Sequence, residues 1–125
     1  RRYMLQTLLP SARRVTIHVG GEDVIVSADC ASSVALVVNE LVQNALKYAF
    51  PSGQAGRIGI ELHSGRPLCQ LTVWDNGVGF QADRPRPGGA GLELASTIVR
   101  EKLTGEWSVE SGPGGTRISF DFLEQ

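Results

Sequence analysis

The chain has 125 residues, enough for one domain and too few for two of ordinary size. Its net charge of -1 lacks the basic excess of a nucleic-acid binder, and its longest nearly apolar stretch, Val34 to Val38, is far short of the roughly 20 residues of a membrane span. It opens Arg1-Arg2-Tyr3 with neither an initiator Met nor a signal peptide, so it reads as a soluble piece of a longer protein. Tyr3 to Leu9 reads as the tail of an upstream helical region, ended by Pro10. Val15, Ile17 and Val19 alternate with polar residues, which predicts a strand with one buried face. Gly20-Gly21 turns the chain, and Val24 to Val26 is expected to add a short strand. From Asp29, taken as the N-cap, a long helix is predicted through about Ala49, with Val34, Val38, Leu41, Val42, Ala45 and Ala49 at helical spacing. Pro51 and Gly53 stop it. Ile58, Ile60 and Leu62 alternate again, then Leu71 and Val73. A loop rich in Gly and Pro follows from Asn76 to about Ala90, before a second helix from Leu92 to Leu103 that stops near Gly105. Trp107 and Val109, then Thr116, Ile118, Phe120 and Phe122, give two last strands. Cys30 and Cys69 lack C-x-x-C spacing and read as plain thiols of a cytoplasmic protein.

Alternating strands belong to a sheet with one packed and one wetter face. Two or three helices cover the packed face, so the predicted fold is a two-layer α/β sandwich with a mixed, mostly antiparallel sheet.

Four places carry chemistry. Glu40, Asn44 and Lys47 are spaced by four and then three residues and share one helix face. An acid, an amide and a cation in one row can serve as an ordinary solvated face, but they also suit a magnesium-bound triphosphate. The amide oxygen of Asn44 is a hard ligand for Mg²⁺, Glu40 can orient or deprotonate an attacking group, and Lys47 can offset phosphate charge. The second place is Trp74-Asp75-Asn76-Gly77-Val78-Gly79-Phe80, at a strand end. Asp-Asn-Gly is common turn chemistry. Yet Asp75 is in phase with Leu71 and Val73, and a carboxylate on the packed face needs a donor such as an adenine amino group. Gly77 and Gly79 let a flat ring approach the backbone.

The third place, Gly88-Gly89-Ala90-Gly91-Leu92, is a glycine run feeding a helix whose free N–H groups suit phosphate. As a plain linker it would mean nothing. The polar stretch ahead of it, from Gln81 to Gly88, suits a mobile lid with Arg84 or Arg86 on phosphate. The fourth is Gly114-Gly115-Thr116, where Thr116 is in phase with Ile118 and Phe120 and its hydroxyl faces inward, toward adenine or a water held by Asp75.

In this order the four segments resemble the ATPase domain shared by histidine kinases, DNA gyrase, the Hsp90 chaperone and the mismatch-repair protein MutL. The run from Asn39-Glu40-Leu41 to Ala49-Phe50-Pro51 is most similar to histidine kinases of the second HisKA type. The resemblance implies a kinase domain that binds ATP and Mg²⁺, with Asn44 as the metal ligand and Glu40 as the base, Lys47 assisting. It further implies that Asp75 accepts from adenine, that Gly77, Gly79, Gly89, Gly91 and Leu92 line the nucleotide, and that Thr116 lies beside adenine. Its partners would be the protein's own phosphoacceptor helical domain and a response regulator.

The sequence departs from the family in three respects. Ala90 stands where the glycine box has a Leu, no aromatic box precedes the lid, and no phosphoacceptor motif surrounds His18 or His63, which both fall in predicted strands. Two other readings compete: a serine kinase of the anti-sigma-factor type, and a nucleotide-binding docking module without phosphotransfer. Glu40, Asn44 and Asp75, all present, argue against the second.

Overall fold

The computed structural model describes residues 2–8, 14–51, 55–80 and 90–124, with the backbone alone described for 2–8, 90 and 91. The period-two runs around Ile17, Ile60, Val73, Val109 and Ile118 become strands. In chain order these are β1 (Arg2–Leu8), β2 (Arg14–Gly21), β3 (Gly56–Ser64), β4 (Leu68–Asp75), β5 (Trp107–Gly112) and β6 (Gly115–Leu123), with helices α1 (Ala28–Tyr48) after β2 and α2 (Ala90–Glu101) after β4. The strands form one sheet in the order β1-β2-β3-β4-β6-β5. Only β2 and β3 pair in parallel, and the other four pairings are antiparallel. This is the mixed, mostly antiparallel sheet expected, with the helices packed on one face.

Three local expectations are corrected. The expected helix tail from Tyr3 is a strand as far as Leu8, and Leu9 lies outside the described residues: β1 runs antiparallel to β2, with Leu5 opposite Ile17. The edge of β2 offers a partner to every second residue. Val24 to Val26 is not a strand. A parallel β2–β3 pair requires the chain to cross over above the sheet. Glu22 donates its N–H to the Leu62 carbonyl at 2.8 Å, and the chain then climbs to the helix layer with Val24 and Val26 packed on the core. The N-cap is Ser27 rather than Asp29: its extended backbone and its hydroxyl, 3.1 Å from the Cys30 N–H, satisfy the helix start. Asp29 sits in the first turn, where its charge still complements the helix dipole.

The core lies between sheet and helices. Ile58, Val73, Ile118, Phe120 and Phe122 from the sheet meet Val37, Leu41, Ala45, Ala95 and Val99 from the helices. Full burial of a large apolar side chain such as Phe120 contributes about 1.5–3 kcal/mol. On the other face Trp74 lies opposite Gly59, and its ring takes the space a side chain there would need: a Cβ would fall 2.0 Å from it. The second helix ends as its sequence suggests, with Thr104 at φ 48° and the Gly105 N–H donating back to the Val99 carbonyl at 3.0 Å. No described helix is long and apolar enough to cross a membrane.

Candidate functional site

The sheet register sets polar residues side by side at one end of an otherwise apolar face. Ser111 of β5 is opposite Thr116 of β6, Thr116 is opposite Asp75 of β4, and Asp75 is opposite Ile58 of β3. The next row on the same face is Val109, Ile118, Val73 and Ile60. Asp75 is 8% and Thr116 6% exposed, so both face inward as their phase predicts. Asp75 accepts the Gly77 N–H on Oδ1 at 2.9 Å.

The turn after β4 is clamped from three sides. The Val78 N–H donates to the Ala49 carbonyl at 2.9 Å, just past the end of α1, and a Cβ on Gly77 would fall 2.2 Å from that same oxygen. Gly79 has φ +70°, and a Cβ there would come within 1.9 Å of the Gly112 carbonyl oxygen. Asn76 closes the third side by accepting the Arg57 N–H on Oδ1 at 2.7 Å. The glycines of Asp75-Asn76-Gly77-Val78-Gly79 are therefore needed for packing whether or not a ring also rests on them.

On α1, Glu40 is half-buried, Asn44 is buried at 7% exposure and Lys47 is exposed. Asn44 lies on the buried face with Val37, Leu41 and Ala45. Among the described residues its side chain forms no hydrogen bond, and neither Glu40 nor Lys47 forms an ion pair. A buried amide without a partner, carrying a hard carbonyl oxygen, fits a site for Mg²⁺ and phosphate oxygens.

A cleft of 470 Å³ holds Asp75, Ser111 and Thr116 together with Trp74 and Gly115. A second, of 610 Å³, is lined by Phe80, Leu92, Trp107 and Ser111. Neither is lined by Glu40, Asn44 or Lys47; the turn after Asp75 meets the end of their helix where Gly77 and Val78 contact Ala49. Gly91 is the second residue of α2, and half-buried Leu92 packs on the core. Gly89 and the lid segment with Arg84 and Arg86 lie outside the described residues.

Sequence reasoning missed Ser111. Its hydroxyl accepts the Phe80 N–H at 2.8 Å and lies 2.7 Å from the Thr116 hydroxyl. The signal was the phase of Trp107 and Val109, which continues to Ser111.

Two thiols and a carboxyl gather at the other end of β4. Burial pushes the Cys30 and Cys69 thiols up, Cys69 further through the Glu124 carboxylate. A hydrogen bond from Ser64, at 2.6 Å, holds the Glu124 carboxyl below its ordinary range. Both cysteines are free. The cleft of 820 Å³ at that end, lined by Ser27, Cys30, Lys102 and Glu124 among others, contains none of the candidate residues.

Residues 30–125 match the family described as histidine kinase-, DNA gyrase B- and HSP90-like ATPases. The chain is 31% identical over 112 residues to blue-light-activated histidine kinase 2 of Erythrobacter litoralis, covering 86% of this chain and 32% of that protein. It is 36% identical over 116 residues to the swarming motility regulation sensor protein RssA of Serratia marcescens, covering 81% and 24%. The solved histidine kinase domain of the E. litoralis EL346 blue-light-activated kinase superposes with a TM-score of 0.76 at 27% identity, covering 87% of this chain and 51% of that one. The chain thus spans less than a third of the length of the two sequence relatives.

Proposed function

The chain belongs to the family of histidine kinase-, DNA gyrase B- and HSP90-like ATPases, whose membership implies ATP binding, and from that premise we propose that it is the ATP-binding catalytic domain of a cytoplasmic histidine kinase region in a two-component system. Its reaction is transfer of the γ-phosphoryl group of Mg-ATP to a histidine on a helical segment of the same kinase, for onward use by a response regulator.

The observation that carries this reading is the buried Asp75 beside Thr116, at the glycine turn clamped against α1. Asp75 accepts from the exocyclic amino group of adenine, and Thr116 stands beside the ring. Gly77 and Gly79 keep the turn free of side chains, and Leu92 offers an apolar contact at the start of α2. Asn44, a buried amide without a partner among the described residues, would hold Mg²⁺. The ion supplies neutralisation of phosphate charge. Glu40, one helical turn before Asn44, orients the acceptor imidazole or takes its proton, and exposed Lys47 offsets phosphate charge. The backbone N–H groups around Gly89 and Gly91, where α2 begins, serve phosphate oxygens.

Asp75→Asn tests the reading. The amide keeps the shape but can turn a donor toward the adenine amino group, so ADP affinity should fall at least about tenfold, roughly 1.4 kcal/mol. Unchanged ADP affinity by calorimetry, in a variant that unfolds as cooperatively as the parent, would remove Asp75 from the site.

A further inference from the structure

Ser111 lies one strand further from Asp75 than Thr116 and is absent from the proposed mechanism, yet one of its two hydrogen bonds has a fixed direction. Its Oγ receives the Phe80 N–H at 2.8 Å, and a backbone N–H can only donate. A hydroxyl that accepts one bond is polarised to donate its own proton to the next acceptor. The acceptor at hand is Thr116 Oγ1 at 2.7 Å, directly across the β5–β6 ladder. With its lone pair so engaged, the Thr116 hydroxyl directs its own proton onward, to the side where the register sets Asp75. The row then presents a donor, Thr116, next to an acceptor, Asp75. Adenine carries the complementary pair on one edge: an amino donor at C6 and the acceptor nitrogen N1. Hypoxanthine carries the reverse, a carbonyl at C6 and an N1–H.

We propose that Ser111 is a positioning residue that fixes Thr116 as a hydrogen-bond donor and thereby sets the site's preference for adenine over 6-oxopurines. The inference rests on the adenine reading of Asp75 given above. It reaches further by assigning the base selectivity to a residue that does not itself touch Asp75. The Phe80 N–H starts the relay, so the turn after β4 and the hairpin of β5 and β6 must both be in place for the polarity to hold. The Gly79 approach to the Gly112 carbonyl packs these two segments together.

The test compares ADP with inosine diphosphate by calorimetric titration of the parent protein, Ser111→Ala, Ser111→Thr and Asp75→Asn. In Ser111→Ala the Thr116 hydroxyl is free to turn either way. Its ADP affinity should fall about five- to tenfold, inosine diphosphate should be little affected, and the ratio of the two should shrink accordingly. Ser111→Thr keeps the hydroxyl on a residue suited to a strand and should restore the ratio. A structural role alone would weaken both nucleotides equally and leave the ratio where it was. That outcome overturns the inference, as does a ratio that Ser111→Thr fails to restore. If Ser111→Ala does not fold, Ser111→Thr and Ser111→Cys decide: a parental ratio in the cysteine variant, whose thiol is a weak donor, sinks the proposal. If the parent binds no ADP, both readings fall. If Asp75→Asn loses ADP while Ser111→Ala keeps the parental ratio, only the inference about Ser111 fails.

Discussion

On the buried face of α1, one helical position from Ala45 and three from Leu41, stands an amide able to make several hydrogen bonds and making none among the described residues. Such a group costs about 1–3 kcal/mol when left buried and unpaired, so its presence lowers the stability of the ligand-free protein. Replacing it with an apolar residue removes that cost, along with some packing. Asn44→Ala is therefore expected to change the unfolding free energy of the ligand-free protein by no more than about 1 kcal/mol. It should weaken Mg-ATP at least about tenfold while leaving metal-free adenosine nearly unaffected, because the side chain is assigned to the ion and not to the base. Equal losses for the two ligands would assign Asn44 a structural role. Asp75 differs in kind: its carboxylate is already engaged by the Gly77 N–H, so its retention has a local structural reason as well as a ligand.

Elements owe their limits to a few capping groups, and α1 shows it at both ends. Ser27 begins it, and the Ala49 carbonyl at its far end is taken by the Val78 N–H. Ser27→Ala should lower the unfolding free energy by about 1 kcal/mol, read from urea midpoints at unchanged slope. It should leave ADP affinity intact, since the cap lies at the end of the helix away from Asn44. Most of this architecture was legible. Period-two runs around Ile17, Ile60, Val73 and Ile118 became strands, and the spacing from Val34 to Ala49 became one helix. What was not legible depended on tertiary pairing. The segment Arg2–Leu8 is a strand because β2 has a free edge, and 22–27 is irregular because a parallel pair requires a crossover. Within the site, phase alone places Asp75 and Thr116 and would have placed Ser111 on the same face, whereas the pairing of Ser111 with Thr116 and Phe80 appears only in the tertiary structure. The glycine Gly89 and the arginines Arg84 and Arg86 were read from composition, and they lie outside the described residues.

Across the whole molecule, the groups assigned to nucleotide and the groups around the Glu124 carboxylate occupy opposite ends of β4. Asp75 closes one end, while Cys69, Ser64 and Glu124 gather at the other. Neither histidine belongs to the first group. His18 is half-buried in β2, and His63 is exposed in β3, 4.0 Å from a Glu22 oxygen and 3.9 Å from a Glu61 oxygen. Transfer requires an imidazole nitrogen in line with the γ-phosphate, about 3 Å away. The chain alone should therefore bind ATP without acquiring stable label from it. A histidine-bearing helical segment added as a separate piece should be labelled slowly, since nothing covalent raises its local concentration. Acid and alkali treatment after incubation with labelled ATP distinguishes the outcomes. Acid-labile, alkali-stable label on the chain itself would contradict the proposed division of labour, and label on an added serine substrate would point to the serine-kinase chemistry instead.

The ring of Trp74, seated where Gly59 has no side chain, has one more consequence. Trp74 precedes Asp75 and lines the cleft that holds it, and Trp107 lines the neighbouring cleft beside Leu92 and Phe80. These are the only two tryptophans in this sequence, and each lines a cleft that also contains Ser111. A purine entering the cleft lined by Trp107 should alter the polarity around that indole, so the protein would report its own occupancy in the ultraviolet without any attached dye.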